Sequence, residues 1–309
     1  MSDFSAPTFR IGFLHPRYLH TWLGVGLMYL ASWLPYRVQF YMGRSLGHLM
    51  HTLMKRRVKI ADRNLALCFP EMTPANRAAM VKENFANAGL ALFETGMAWF
   101  WPKWRINKHV TIEGLDILLE LEQQGKGVLL IAVHSLNLEI GARGLSEQTP
   151  GVGVYRPNTN PVYDWFQFRG RMKRNIGVDR KDVKSMIHYL KEGHRMWYAP
   201  DHDYGRRRST FAPLFAVKQA CTTTGTSLLT HAGHATVVPF SVVRERRLGQ
   251  YRVKIDPPIT DFPKEAHAAA VITNQAVERL ILRAPEQYMW LHRRFKTRPE
   301  GESSLYERI

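Results

Sequence analysis

The chain has 309 residues, 45% of them hydrophobic, with 43 Lys and Arg against 26 Asp and Glu for a formal net charge of +17. That length and apolar content suffice for a substantial core, and the lack of a low-complexity tract or internal repeat excludes a solenoid or repeat array. The charge calls for an anionic partner without choosing among nucleic acid, anionic lipid, a phosphorylated substrate and an acidic protein, while Cys68 and Cys221 exclude a disulfide framework and lack metal-site spacing.

From Tyr18 to Tyr36 there is no Asp, Glu, Lys or Arg, and Trp22 and Trp33 stand near the ends of the apolar interior. This predicts an N-terminal hydrophobic helix of close to the roughly 20 residues a bilayer requires, with an interfacial aromatic belt. His20, Thr21, Ser32 and Pro35 keep a helix lying on the membrane open beside a true span. No small-residue cleavage site follows, so a removable signal peptide is not expected. Arg10 and Arg17 precede the segment, whereas Arg37, Arg44, Lys55, Arg56, Arg57 and Lys59 follow it, which places the body on the cytoplasmic side. Residues 1–37 are therefore read as a membrane-anchoring helix and 38–309 as a catalytic domain.

Residues 38–106 read as helical. Thr73-Pro74 supplies a cap and a first-turn proline, and Met80, Phe85, Ala88, Leu92 and Met97 recur at helical spacing. Phe93, Trp99, Phe100, Trp101 and Trp104 add more aromatic bulk than one helix face needs, as a surface partly embedded in lipid would. From 107 to 309 the pattern is α/β. Strands are predicted at Val110–Ile112, Val128–Val133, Val152–Tyr155, Met196–Ala199, Thr236–Val243 and Tyr251–Ile255, with helices opened by Asn160-Pro161 and running from Lys181 to Glu192. Such alternation gives a sheet flanked by helices, with ligands gathered at the carboxyl ends of strands. His134, Arg156 and Asp201 each follow a predicted strand, so a common cleft can hold them.

The run Gly127-Val-Leu-Leu-Ile-Ala-Val-His134-Ser-Leu-Asn-Leu-Glu139 delivers a histidine off a buried strand with a carboxylate close behind. With His134 in the turn and Glu139 in the first helical turns, the carboxylate is expected to bond one imidazole nitrogen and leave the other to take a proton. There is no Gly-x-Ser-x-Gly elbow, His-Glu-x-x-His or Walker loop, so the substrate brings its own nucleophile. Arg156, Arg169 and Arg171 suit a phosphate or carboxylate, whereas Lys173 and Arg174 read as a solvated basic face. Asp201-His202-Asp203-Tyr204-Gly205 has metal-ligand residue types, but turn chemistry accounts for it better and no metal or other cofactor is expected. A non-enzymatic binder of anionic lipid or nucleic acid would explain the charge, but has no use for the strand-end histidine; no nucleic-acid motif occurs and no nucleic-acid partner is expected.

The His-x4-Glu element resembles the signature of the glycerolipid acyltransferases. Longer blocks resemble the lipid A late acyltransferases, in particular their lauroyl/palmitoleoyl branch: Leu14-His-Pro-Arg-Tyr, Arg63-Asn-Leu-Ala-Leu-Cys-Phe-Pro, Glu94-Thr-Gly-Met-Ala-Trp-Phe-Trp-Pro, Tyr155-Arg-Pro-Asn, Tyr198-Ala-Pro-Asp-His-Asp-Tyr-Gly and Ala284-Pro-Glu-Gln-Tyr-Met-Trp-Leu-His-Arg-Arg-Phe-Lys-Thr-Arg-Pro. Ser135, where a bulky apolar residue is usual, departs from the pattern and bears on acyl preference. The resemblance implies a mixed sheet flanked by helices and transfer of a lauroyl or palmitoleoyl chain from acyl-carrier protein to a hydroxyacyl chain of Kdo2-lipid IVA at the cell inner membrane, on its cytoplasmic face. His134 and Glu139 would be catalytic; Arg156, Arg169, Arg171, Asp201 and Asp203 would contact substrate, with the Asp201–Gly205 segment closing the cleft and an acidic side chain orienting an arginine. The alternative within the superfamily is a phospholipid-pathway enzyme acylating a glycerol phosphate.

Overall fold

The computed structural model describes residues 6–307. Helix α1 (Leu19–Ser32) has 14 residues and ends before Pro35. That proline has no N–H to continue a helix and disfavours a helical Leu34, so α2 (Tyr36–Leu53) starts afresh. The apolar segment from Tyr18 to Tyr36, read as a helix that spans the membrane or lies on it, is thus helical only from Leu19 to Ser32, with a break before α2; among the described residues no helix is long and apolar enough to cross a membrane. Helices α3 (Lys55–Cys68), α4 (Pro74–Phe100) and α5 (Lys103–His109) complete the helical segment. The Thr73 hydroxyl accepts from the Asn76 N–H at 3.2 Å, capping α4 ahead of Pro74. Phe85, Ala88 and Met97 are buried along α4, but Leu92 of the same predicted stripe points outward. Part of the buried face of α4 is a glycine seam. A Cβ on Gly47 would lie 2.1 Å from the Phe85 carbonyl oxygen and one on Gly89 2.2 Å from that of Gly43, so α2 and α4 meet backbone to backbone.

The rest alternates as β1 (Val110–Glu113), α6 (Leu115–Gln123), β2 (Val128–Ile131), α7 (Leu138–Gln148), β3 (Val152–Tyr155), α8 (Pro161–Arg171), β4 (Ile176–Asp179), α9 (Val183–Lys191), β5 (Arg195–Tyr198), β6 (Ser209–Leu214), β7 (Val217–Thr223), α10 (Gly225–Ala232), β8 (Thr236–Arg244), β9 (Tyr251–Ile255) and α11 (Ala266–Leu282). Seven strands form one sheet in the order β1-β9-β8-β2-β5-β3-β4, and every pair is parallel except β8 with β9. The fold is α/β with a mixed sheet flanked by helices. Central β2 is apolar throughout because both faces are covered: Val128 and Leu130 pack with Ile140 and Phe240, Leu129 and Ile131 with Met186 and Leu190. Val128 pairs with both Arg195 and Thr236, so β2, β5 and β8 run in step and chain segments leaving β2 and β5 emerge side by side.

Candidate active site

His134 lies in the connection from β2 to α7, half-buried, and Asp201 just beyond β5, fully buried. The backbone N–H of His134 donates to Asp201 Oδ2 at 3.0 Å, and its ring Nδ1 lies 2.7 Å from Asp201 Oδ1. One carboxylate therefore holds both the backbone and the ring. With an anionic acceptor at Nδ1 that nitrogen carries the proton, and Nε2 keeps its lone pair. Burial works to lower the basicity of His134, but the charge and hydrogen bond of Asp201 prevail and raise it above the ordinary histidine value, against opposition from the Arg171 charge. Burial alone would raise the Asp201 carboxyl; the His134 charge and hydrogen bonds instead hold it well below the usual carboxylate range. Such an arrangement can serve as a carboxylate-oriented base through Nε2, which has no hydrogen-bond partner among the described residues.

The C-terminal segment braces this turn. Met289 N–H donates to the His134 carbonyl at 3.1 Å and Leu136 N–H to that of Gln287 at 2.7 Å. Side-chain amides hold the segment in turn: Asn84 donates to the Tyr288 carbonyl at 2.6 Å and Asn64 to that of Trp290 at 2.7 Å. The same segment carries His292, which stacks on His202 with ring centroids 4.3 Å apart; His202 stacks on His134 at 3.6 Å with 9° between the planes. Ligand atoms of His134, Asp201 and His202 lie within 4.8 Å of one another, the residue types of a metal site. Their disposition suits stacking better. Imidazole lone pairs lie in the ring plane, so an ion cannot lie in the planes of two parallel rings this far apart.

Glu139 does not orient His134, contrary to expectation. From the first turn of α7 its Oε1 accepts from Arg171 Nε at 2.7 Å and also from a second guanidinium nitrogen, and its Oε2 accepts from Trp99 Nε1 at 3.4 Å. A full guanidinium charge on α8 outcompetes a neutral imidazole for the carboxylate. The close approach of Trp99 requires Gly170, where a Cβ would lie 2.4 Å from the indole. The two acidic roles are therefore exchanged: Asp201, expected among substrate contacts, orients the histidine, and Glu139, expected to do so, orients an arginine. Asp203 is likewise not presented to a ligand, because it is buried and accepts from the Thr297 N–H at 2.7 Å and hydroxyl at 2.8 Å and from Gly205 N–H at 3.0 Å. Arg156 is exposed after β3, with no hydrogen bond or ion pair among the described residues, and Arg169 is exposed with its guanidinium 5.1 Å over the Trp165 ring. The structure brings His134, Asp201, Glu139 and Arg171 together and leaves Arg156 and Arg169 facing solvent. Sequence reasoning marked the bracing segment only as one of the resembling blocks, with His292 inside it, and assigned neither a place in the site.

Residues 6–297 match the family model described as bacterial lipid A biosynthesis acyltransferase. The chain is 51% identical to the lipid A biosynthesis lauroyltransferase of Escherichia coli (strain K12) over 97% of this chain and 99% of that one. It is 44% identical to the palmitoleoyltransferase of the same strain, covering 95% and 96%, and 30% identical to its myristoyltransferase, covering 98% and 94%.

Proposed function

The chain belongs to the bacterial lipid A biosynthesis acyltransferase family and carries out acyl transfer in lipid A biosynthesis, and from that premise we propose that its donor is a fatty acyl thioester of acyl-carrier protein and its acceptor a hydroxyl on an acyl chain of Kdo2-lipid IVA. The observation that carries the mechanism is the Asp201 grip on Nδ1 of His134, which leaves Nε2 as a base. Nε2 takes the hydroxyl proton as the oxygen attacks the thioester carbonyl carbon; the C–S bond then breaks and the departing thiol recovers the proton. No acyl-enzyme is formed. Arg171, fixed by Glu139, supplies positive charge beside the reacting atoms, for the oxyanion or an acceptor anion. Exposed Arg156 and Arg169 are suited to phosphates and Kdo carboxylates. The transferred chain is lauroyl or palmitoleoyl, the chains named for two close relatives.

We place the enzyme on the cytoplasmic face of the inner membrane. Leu19, Leu23, Leu27 and Leu30 form an exposed apolar stripe on α1, and Val38, Tyr41, Met42, Leu49 and Leu53 are exposed on α2. Because α1 also touches α8, where Asn160 ahead of the helix donates to the Thr21 hydroxyl at 2.8 Å, the lipid-facing side adjoins the helix that carries Arg171. The test is purified enzyme with acyl-carrier thioesters of several chain lengths, offered Kdo2-lipid IVA and glycerol 3-phosphate side by side. Acylation of the former only is expected, with His134→Ala lowering kcat by about 10²- to 10⁴-fold. Preference for glycerol 3-phosphate, or near-normal turnover by folded His134→Ala, would overturn the reading.

A further inference from the structure

Three histidines from separate parts of the chain lie in one stack: His134 after β2, His202 after β5 and His292 on the bracing segment, with centroid separations of 3.6 Å and 4.3 Å and planes 9° and 17° apart. Nε2 of His202 and Nε2 of His292 are both buried with no hydrogen-bond partner among the described residues. No hydrogen bond through Nε2 to a described residue therefore holds either ring in place, whereas the stacking contacts do. What both offer is a flat, neutral face. We propose that His202, backed by His292, is a positioning residue for the acyl transfer: its ring lies flat on His134, keeps Nδ1 on Asp201 and Nε2 turned to the cleft, and provides the π surface against which the imidazolium forms. This rests on the reading of His134 as general base.

The charges around the stack agree with these roles. His134 faces Asp201, Arg171 and His202, and its proton is favoured chiefly by Asp201. His202 faces Asp201, His134, His292 and Arg294; burial outweighs the Asp201 charge and, with the repulsion it would meet from Arg294 and from a protonated neighbouring ring, pushes it down to about 3. His292, facing Lys296, His134, Asp201 and Asp203, is also lowered, first by burial. Arg294 is itself buried, donating to the Cys221 carbonyl at 2.8 Å, and keeps a fixed positive charge behind the stack. Protonation in this column is thus directed to the ring that meets the substrate, and the rings behind it stay neutral. An imidazolium over a neutral aromatic face is attracted by its π electrons, whereas two cations at this separation would repel.

The test uses full-length His202→Gln, His202→Ala and His202→Arg. Gln keeps a flat neutral group, Ala removes it, and Arg keeps a flat group but charges it. Turnover is expected to stay within about threefold in Gln and to fall roughly 10- to 100-fold in kcat, with acceptor KM unchanged, in Ala, the loss typical of a displaced reacting group. In Arg the acid limb of kcat/KM should move to lower pH, because a cation beside His134 disfavours its protonation. NMR titration of the His134 imidazole in the same proteins reads the coupling without turnover, so failure of the stack is distinguishable from failure of the base reading, which His134→Ala tests. Parent-like kcat in Ala together with an unmoved His134 titration in Arg would reduce the stack to packing and overturn the proposal; if Ala does not fold, the Gln and Arg titrations decide it alone.

Discussion

At the scale of single residues, two carboxylates stand within reach of the site, and the charge of their partners decides which does what. Glu139 meets a permanent cation and Asp201 a titratable ring. The consequence can be measured. His134 is raised above its ordinary value, so as pH falls through that raised value the base becomes protonated and kcat/KM falls, and the acid limb should lie above the ordinary histidine value. Asp201→Asn removes the anion that favours the proton: the limb should shift to lower pH, and kcat should drop on the order of 10²- to 10⁴-fold, since the amide neither steadies an imidazolium nor enforces the tautomer. An unmoved limb with normal kcat would show that Asp201 does not orient the base. The sequence disclosed His134 because a strand-end imidazole after a continuous apolar run is a local signal. The exchange of acidic partners was hidden because it depends on β5 lying beside β2 and α8 packing near α7, which are long-range facts.

Elements were legible where their signals are local and lost where they depend on packing. Thr73-Pro74 and Asn160-Pro161 announced helix starts, and both caps form, Asn160 Oδ1 accepting from the Val162 and Tyr163 N–H groups at 3.1 Å. Strand β4, Ile-Gly-Val-Asp at the sheet edge, has only Ile176 and Val178 to mark it as a strand, and the β6/β7 hairpin was concealed by Pro213, where the register shifts. The glycines between α2 and α4 read as weak helix formers, although they let the two helices meet. Helix α4 also carries two ion pairs of unequal weight. Glu94 is fully buried and binds Arg244 through two nitrogens, at 2.6 and 2.8 Å, with the Tyr251 hydroxyl donating to it at 2.6 Å. Glu83 pairs with Arg44 near solvent. Glu94→Ala leaves a buried guanidinium without a counter-charge and should cost about 3–5 kcal/mol, whereas Glu83→Ala should cost under about 1 kcal/mol. Denaturant unfolding of the two variants compares them directly; equal losses would mean that Arg244 finds another partner or water.

For the whole molecule, the proposed membrane association would draw on two separable contributions, a +17 charge and an exposed apolar stripe. Basic residues attract anionic headgroups with about 1 kcal/mol each near the surface, an effect that vanishes as the screening length falls to about 3 Å at 1 M salt. Apolar side chains are indifferent to salt. Leu23, Leu27 and Leu30 point away from the body and are each about 60% exposed or more, at 59%, 67% and 64%, so replacing them leaves the core intact. Deleting α1 would be a poorer experiment, since its Ser32 carbonyl accepts from Trp101 Nε1 at 2.6 Å and Met28 packs against Gly96. If each leucine contributes about 1 kcal/mol on entering lipid, the triple substitution Leu23→Glu, Leu27→Glu and Leu30→Glu should weaken partition onto anionic vesicles by roughly 100-fold or more. Flotation at 0.1 M and 1 M salt separates the two contributions: the parent protein should stay partly bound at high salt and the variant should be released. On detergent-dispersed acceptor the variant should turn over like the parent, because His134 and its partners lie on other elements. Complete release of the parent by salt alone would leave the stripe without a membrane role, and lost turnover in a folded variant would mean that α1 shapes the site through α8 rather than bringing it to the lipid.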